Sequence, residues 1–159
     1  MTMIRRLSTD ARKAVLTSAS QEARRRGDRR LGTDHLLLGL LHDADSTVTR
    51  SLGISLETAR SASESLDRAA LESVGVHVAH LGNPPPAIFA RRLLPLTSGA
   101  RAVLRQAVEQ ARRAKTPQIE TRDFLLALLD CDRPDPAAEL LSALGVDRAE
   151  VREKLEGSS

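Results

Sequence analysis

The chain has 159 residues and a formal net charge of +3 at pH 7, with aromatic residues at 1%. That length holds one domain or two fused halves and is short for a nucleotide-driven machine. With no Trp, no Tyr and only Phe89 and Phe124, the core must be Leu, Val, Ile and Ala, which favours packed helices over sheets and leaves no aromatic platform for stacking nucleic-acid bases.

Taken in chain order, Thr9 reads as the N-cap of a first helix whose apolar positions Val15, Ala19 and Ala23 are spaced four apart, ending near Gly27. Thr33 would cap a second helix over about 34–43 that is nearly apolar all round, as a central buried helix should be. A shorter helix near 46–52 closes at Leu52-Gly53, and Ser55 caps a fourth. Gly82-Asn83-Pro84-Pro85-Pro86 cannot be helical and is read as an exposed connection. Thr97 then caps a helix carrying Val103, Ala107 and Ala111 and stopping before Pro117. Thr121 would cap the next over 122–131, a third lies near 136–144, and Asp147 caps the last.

The two series are one pattern repeated. Val15-Leu16, Ala19 and Ala23-Arg24-Arg25 recur 88 residues later as Val103-Leu104, Ala107 and Ala111-Arg112-Arg113. The same offset carries Leu31 to Ile119, Thr33 to Thr121 and Leu36-Leu37-Leu38 to Phe124-Leu125-Leu126. After the extra Arg133-Pro134-Asp135-Pro136 the offset becomes 92, matching Leu52-Gly53-Ile54 with Leu144-Gly145-Val146. The expected architecture is all-α: two tandem, pseudo-twofold-related four-helix repeats (about 7–66 and 96–156, joined over about 67–95) forming a single domain over 1–159.

Leu7-Ser8-Thr9, Gln21-Glu22-Ala23-Arg24-Arg25 and above all Gly32-Thr33-Asp34-His35-Leu36-Leu37-Leu38-Gly39-Leu40-Leu41 resemble the repeat of the Clp N-terminal domain. The second copy is looser, reading Glu120-Thr121-Arg122-Asp123 where the family has Gly-Thr-Glu-His. The resemblance implies a non-catalytic module that receives substrates and adaptors of Clp ATPases, or contacts components of those ATPases. It also implies, from ClpC-type members, a phosphoarginine pocket in each repeat. By position these are Ser8, Thr9 and Asp34 in repeat one, and Thr97 with Arg122 in repeat two. Asp34 is one methylene shorter than the family's Glu. Arg122 puts a cation where an anion is needed, so the second pocket is expected to be degenerate. A stand-alone decoy that sequesters peptide ligands or antibiotics aimed at the ATPase is the alternative.

No Gly begins a Gly-x-x-x-x-Gly-Lys-Ser/Thr run, so no nucleotide loop is expected, and no nucleophile motif, cofactor or metal site is read. His35 and His42, and His77 and His80, lack a third ligand of suitable spacing and read as structural or surface residues. Asp34 can equally be a first-turn acid favoured by the helix dipole, and Arg24-Arg25-Arg26 with Arg29-Arg30 read as a solvated helix terminus. Cys131, the sole cysteine, excludes an intrachain disulfide and is expected to pack. With no apolar run of membrane-spanning length, no membrane or nucleic-acid partner is expected, and a cytoplasmic location is.

Overall fold

The computed structural model describes the backbone of residues 2–75 and 94–157, and side chains from residue 11 onward. Eight helices lie among the described residues: α1 (Thr2–Arg25), α2 (Thr33–Leu40), α3 (Thr47–Leu52), α4 (Leu56–Ser73), α5 (Ser98–Arg113), α6 (Thr121–Leu129), α7 (Pro136–Ala143) and α8 (Arg148–Glu156). The expected connection at Gly82–Pro86, and His77 and His80, fall outside the described residues. Ser55 and Asp147 cap α4 and α8 through Thr58 N–H (3.1 Å) and Ala149 N–H (3.1 Å), as their sequence positions require.

Three capping expectations are corrected. α1 begins at Thr2, so Thr9 lies inside it. Met3-Ile4-Arg5-Arg6-Leu7 contains no helix breaker, whereas Pro95 stands two residues ahead of Thr97 and prevents α5 from starting earlier. The N-caps of α2 and α6 are Gly32 and Glu120, one residue before Thr33 and Thr121. Their N–H groups donate forward, Gly32 to Nδ1 of His35 (2.9 Å) and Glu120 to Oδ2 of Asp123 (2.8 Å). His35 and Asp123 are related by the repeat offset, so two different side chains perform one capping task.

The packing has the symmetry that the sequence repeat implies. α2 meets α6 at the centre. Exchanging the repeats turns α2·α5 into α6·α1, α2·α7 into α6·α3, and α4·α7 into α8·α3, and every one of these pairs is in contact. Each repeat therefore packs its later helices on the other repeat, and the core is common to both. Leu36, Leu37, Leu38, Phe124, Leu125 and Leu128 are at most 1% exposed in it. Gly39 permits the closest approach: a Cβ there would sit 2.9 Å from both Ala19 N and Val15 O of α1.

α4 is held differently. Only Ala59 and Ser63 of its 18 residues are buried, and it runs to Ser73, past the end expected for repeat one near residue 66. Ala59 joins the core and Leu56, Ala62 and Leu66 pack against it, and an ionic contact adds to this apolar seam. Glu22, 1% exposed, accepts hydrogen bonds from Arg60 Nε (3.0 and 3.2 Å) and meets His42 Nε2 at 2.8 Å. Burial pushes this carboxyl up, but the bonds from Arg60 and His42 outweigh it and hold Glu22 below the ordinary carboxylate value. No described helix is long and apolar enough to cross a membrane.

Candidate functional site

Leu31, at the end of the loop after α1, donates its N–H to Pro95 O (2.9 Å) and accepts from Thr97 N–H (3.0 Å). This parallel bridge between Leu31 and Leu96 fixes the start of α5, in repeat two, against Gly32-Thr33-Asp34 of repeat one. The N-terminus of α7 joins them. Thr33 Oγ1 donates to Asp135 Oδ1 (2.6 Å) and accepts from Ala137 N–H (3.1 Å), so the hydroxyl expected to cap its own helix instead ties α2 to α7. Gly99 is tolerated here because it is small: a Cβ would lie 3.2 Å from Asp135 Oδ2 and 3.4 Å from Thr33 Cγ2.

Three helix N-termini thus surround an open cleft of about 750 Å³, lined among others by Arg26, Arg29, Arg30, Asp28, Asp34, Asp67 and Asp135. Helix starts carry partial positive charge and unpaired N–H groups. Thr97 Oγ1 accepts from Ala100 N–H (3.1 Å), while Ser98 and Gly99 form the first turn of α5 at the cleft wall. Arg29 and Arg30 are exposed there. The cleft therefore offers donors for an anion next to carboxylates for a cation.

Three of these carboxylates, Asp28, Asp34 and Asp67, are arranged around one guanidinium. Arg26 Nη1 donates to Asp34 Oδ2 at 2.8 Å and to Ser63 Oγ at 3.0 Å, Nη2 donates to Asp67, and Nε lies 3.5 Å from Asp28 Oδ2. Burial and the neighbouring charges of Asp28 and Asp34 push the Asp67 carboxyl above its ordinary value despite Arg26. Asp28 is shifted the other way: burial raises it, but hydrogen bonding to His35 and the charge of Arg26 prevail and lower it. His35 is 4% exposed. Because its Nδ1 accepts from Gly32, its Nε2 donates to Asp28 Oδ2 (2.8 Å), and neither nitrogen faces the cleft as a free acceptor.

The structure brings together Asp34 and Thr97, one from each repeat, where the resemblance grouped Asp34 with Ser8 and Thr9, and Thr97 with Arg122. The side chains of Ser8 and Thr9 lie outside the described residues. Arg122, in the first turn of α6, does not line this cleft. Arg26 corrects the solvated-terminus reading: Arg25, Arg29 and Arg30 are exposed, but the Arg26 side chain is 13% exposed. Sequence reading also missed Asp28, Asp67 and Asp135. For Asp135 a signal existed, since Asp before Pro136 marks a helix start within the inserted segment. Cys131 is half-buried, and burial with the nearby Asp135 carboxylate pushes its thiol up to about 11, far from a nucleophile's range.

Residues 6–82 and 95–159 match the Clp repeat (R) N-terminal domain. Chaperone protein ClpC2, chloroplastic, of Oryza sativa subsp. japonica is 31% identical over 153 residues, covering 94% of this chain and 15% of that protein. A chloroplastic ClpA homolog of the ATP-dependent Clp protease ATP-binding subunit from Brassica napus is 30% identical over the same shares. The chain thus spans about 15% of the length of these relatives. Among solved structures, the N-terminal domain of the chaperone ClpD from Arabidopsis thaliana superposes with a TM-score of 0.69 at 21% identity over 92% of each chain. The Hsp104 N-terminal domain from Candida albicans gives 0.61 at 18% identity, over 94% of this chain and 91% of that one. The fold, the two matched repeats and the shared sequence agree, and the chain belongs to the Clp repeat N-terminal domain family.

Proposed function

We propose that this chain is a non-catalytic receiving module of the Clp type. It binds proteins or peptides, whether substrates, adaptors or components of the ATPase, through the cleft at Asp34 and Thr97, and its preferred ligand is an arginine-phosphorylated segment. The observation that carries this reading is the meeting of opposite binding capacities in one cleft: the carboxylates of Asp28, Asp34, Asp67 and Asp135 line it together with the first turn of α5 and the exposed Arg29 and Arg30. A phosphorylated guanidinium is cationic at one end and anionic at the other, and charge-assisted hydrogen bonds reward both. The high thiol pKa of Cys131 and the fully engaged ring of His35 support a non-catalytic role. A single cysteine suits a reducing compartment such as the cytoplasm.

By the repeat offset the counterparts of Thr97 and Asp34 are Thr9 and Arg122, so a second site on this reading would have a cation in the carboxylate position. One binding site per chain is the expected stoichiometry. Titration calorimetry with phosphoarginine tests it: Asp34→Asn loses about tenfold or more in affinity, the worth of one charge-assisted hydrogen bond, and Arg122→Glu adds a weak second site. Unchanged affinity in Asp34→Asn would refute the assignment of the cleft, and absence of binding by every variant would refute the ligand.

A further inference from the structure

We infer that Arg26 is a resident occupant of the cleft's guanidinium position, so that a ligand's guanidinium reaches Asp34 only by displacing it. The inference rests on the receiving function proposed above and names how that site is regulated. Arg26 spends its donors on Asp34, Ser63 and Asp67. Arg26 and Asp34 are only 13% and 15% exposed, so the pair is shielded from water. The other oxygen of Asp34, Oδ1, is turned toward Gly32, 2.8 Å from where a Cβ on that residue would sit, and lies 3.7 Å from His35 Nδ1. Oδ2, the oxygen not turned toward Gly32, is the one Arg26 holds.

The occupant comes with its acid. The 88-residue offset carries Arg26 to Ala114 and Asp34 to Arg122: repeat one has both members of the pair, and repeat two has neither. Arg26 sits one residue past the end of α1, before Gly27 with its positive φ of 78°. Its partners Ser63 and Asp67 belong to α4, so displacement of Arg26 by a ligand also releases one of the ionic anchors of that helix.

The opposite role for Arg26, pairing with a ligand's phosphate, predicts the opposite sign on removal, which makes the experiment decisive. Phosphoarginine is titrated into the parent, Arg26→Gln and Arg26→Lys, with folding checked by circular dichroism; Arg26→Lys keeps the charge but cannot span both Asp34 and Asp67. Arg26→Gln is expected to bind about tenfold or more tightly than the parent, the value of one released charge-assisted hydrogen bond, and Arg26→Lys to fall between them. Equal or weaker binding by both variants, with Asp34→Asn still impaired, overturns the inference and leaves the receiving function standing. In a second arm that needs no phosphate, methylguanidinium chloride at millimolar concentration raises the melting temperature of Arg26→Ala saturably. It leaves the parent and the Arg26→Ala/Asp34→Asn double variant unchanged. That rescue without phosphoarginine binding by any variant would retain Arg26 as the occupant and overturn the ligand instead. No selective rescue of Arg26→Ala would overturn the occupancy.

Discussion

Arg60→Ala tests whether α4 is attached by its ion pair. The substitution leaves Glu22, 1% exposed, with His42 as its closest remaining partner at 2.8 Å and Arg25 Nε at 3.4 Å. Removing one member of a fully buried pair costs about 3–5 kcal/mol. Arg60 is 30% exposed and His42 remains, so the expected loss at pH 7 is about 2 kcal/mol, or about 4–8 °C in melting temperature for a domain of this size. The pH dependence identifies the cause. In the parent the Glu22 pKa is held low, so its contribution is present above the unfolded carboxylate value near 4.5 and is lost as pH falls through the lower folded value. Without Arg60, one of the two groups that hold it down is lost and the folded pKa rises. The variant therefore has less carboxylate-linked stability to lose on acidification than the parent. The gap between variant and parent should narrow from pH 7 to pH 4. The chain has no Trp or Tyr, so urea unfolding is followed by circular dichroism at helical wavelengths. A loss below about 0.5 kcal/mol, or one that does not change with pH, would refute the account of α4.

Gly39→Ala should destabilise by about 1–3 kcal/mol, although alanine is the better helix former, because its methyl meets α1 backbone atoms that cannot yield; an unchanged urea midpoint would contradict this. Lys115, the repeat counterpart of Gly27, has a positive φ of 56°, and Lys115→Gly should stabilise by up to about 1 kcal/mol as backbone strain is relieved, read as a raised melting temperature. Burial and the charge of Glu120 push the Asp123 carboxyl up. Its ionisation therefore lowers stability as pH rises through the folded value, and the full contribution is present below the unfolded value. Asp123→Asn keeps an oxygen for the Glu120 N–H and should melt higher than the parent at pH 7, with the advantage vanishing near pH 3.

The helix order was legible because the pattern Val15, Ala19, Ala23 and the apolar second helix are local signals, written twice. The N-caps at Ser55, Thr97 and Asp147 were legible for the same reason. Thr33 was not, because a threonine before a helix looks identical whether its hydroxyl caps that helix or bonds to Asp135, 102 residues away. Arg26 was hidden by its neighbours. In a run of three arginines the sequence does not say which one lies where Gly27 turns the chain, over Asp34 and against α4. The pairing of Asp34 with Thr97 was hidden for a deeper reason: an internal repeat shows which residues correspond, and says nothing about whether corresponding parts assemble within a copy or between copies.

That crossing of partners makes the asymmetry of this chain intelligible. The cleft takes Asp34 from one repeat and the start of α5 from the other, so a substitution in repeat two at a position outside the cleft need not cripple it. Arg122 lies outside the cleft at Asp34, which keeps the Thr97 cap of repeat two intact. Asp135, from the segment present only in repeat two, then serves repeat one by bonding Thr33. The insertion and the charge reversal both lie in repeat two, yet the first reinforces the cleft of repeat one and the second leaves it untouched. Loss of either repeat would remove half of this cleft, so the packing itself requires both copies.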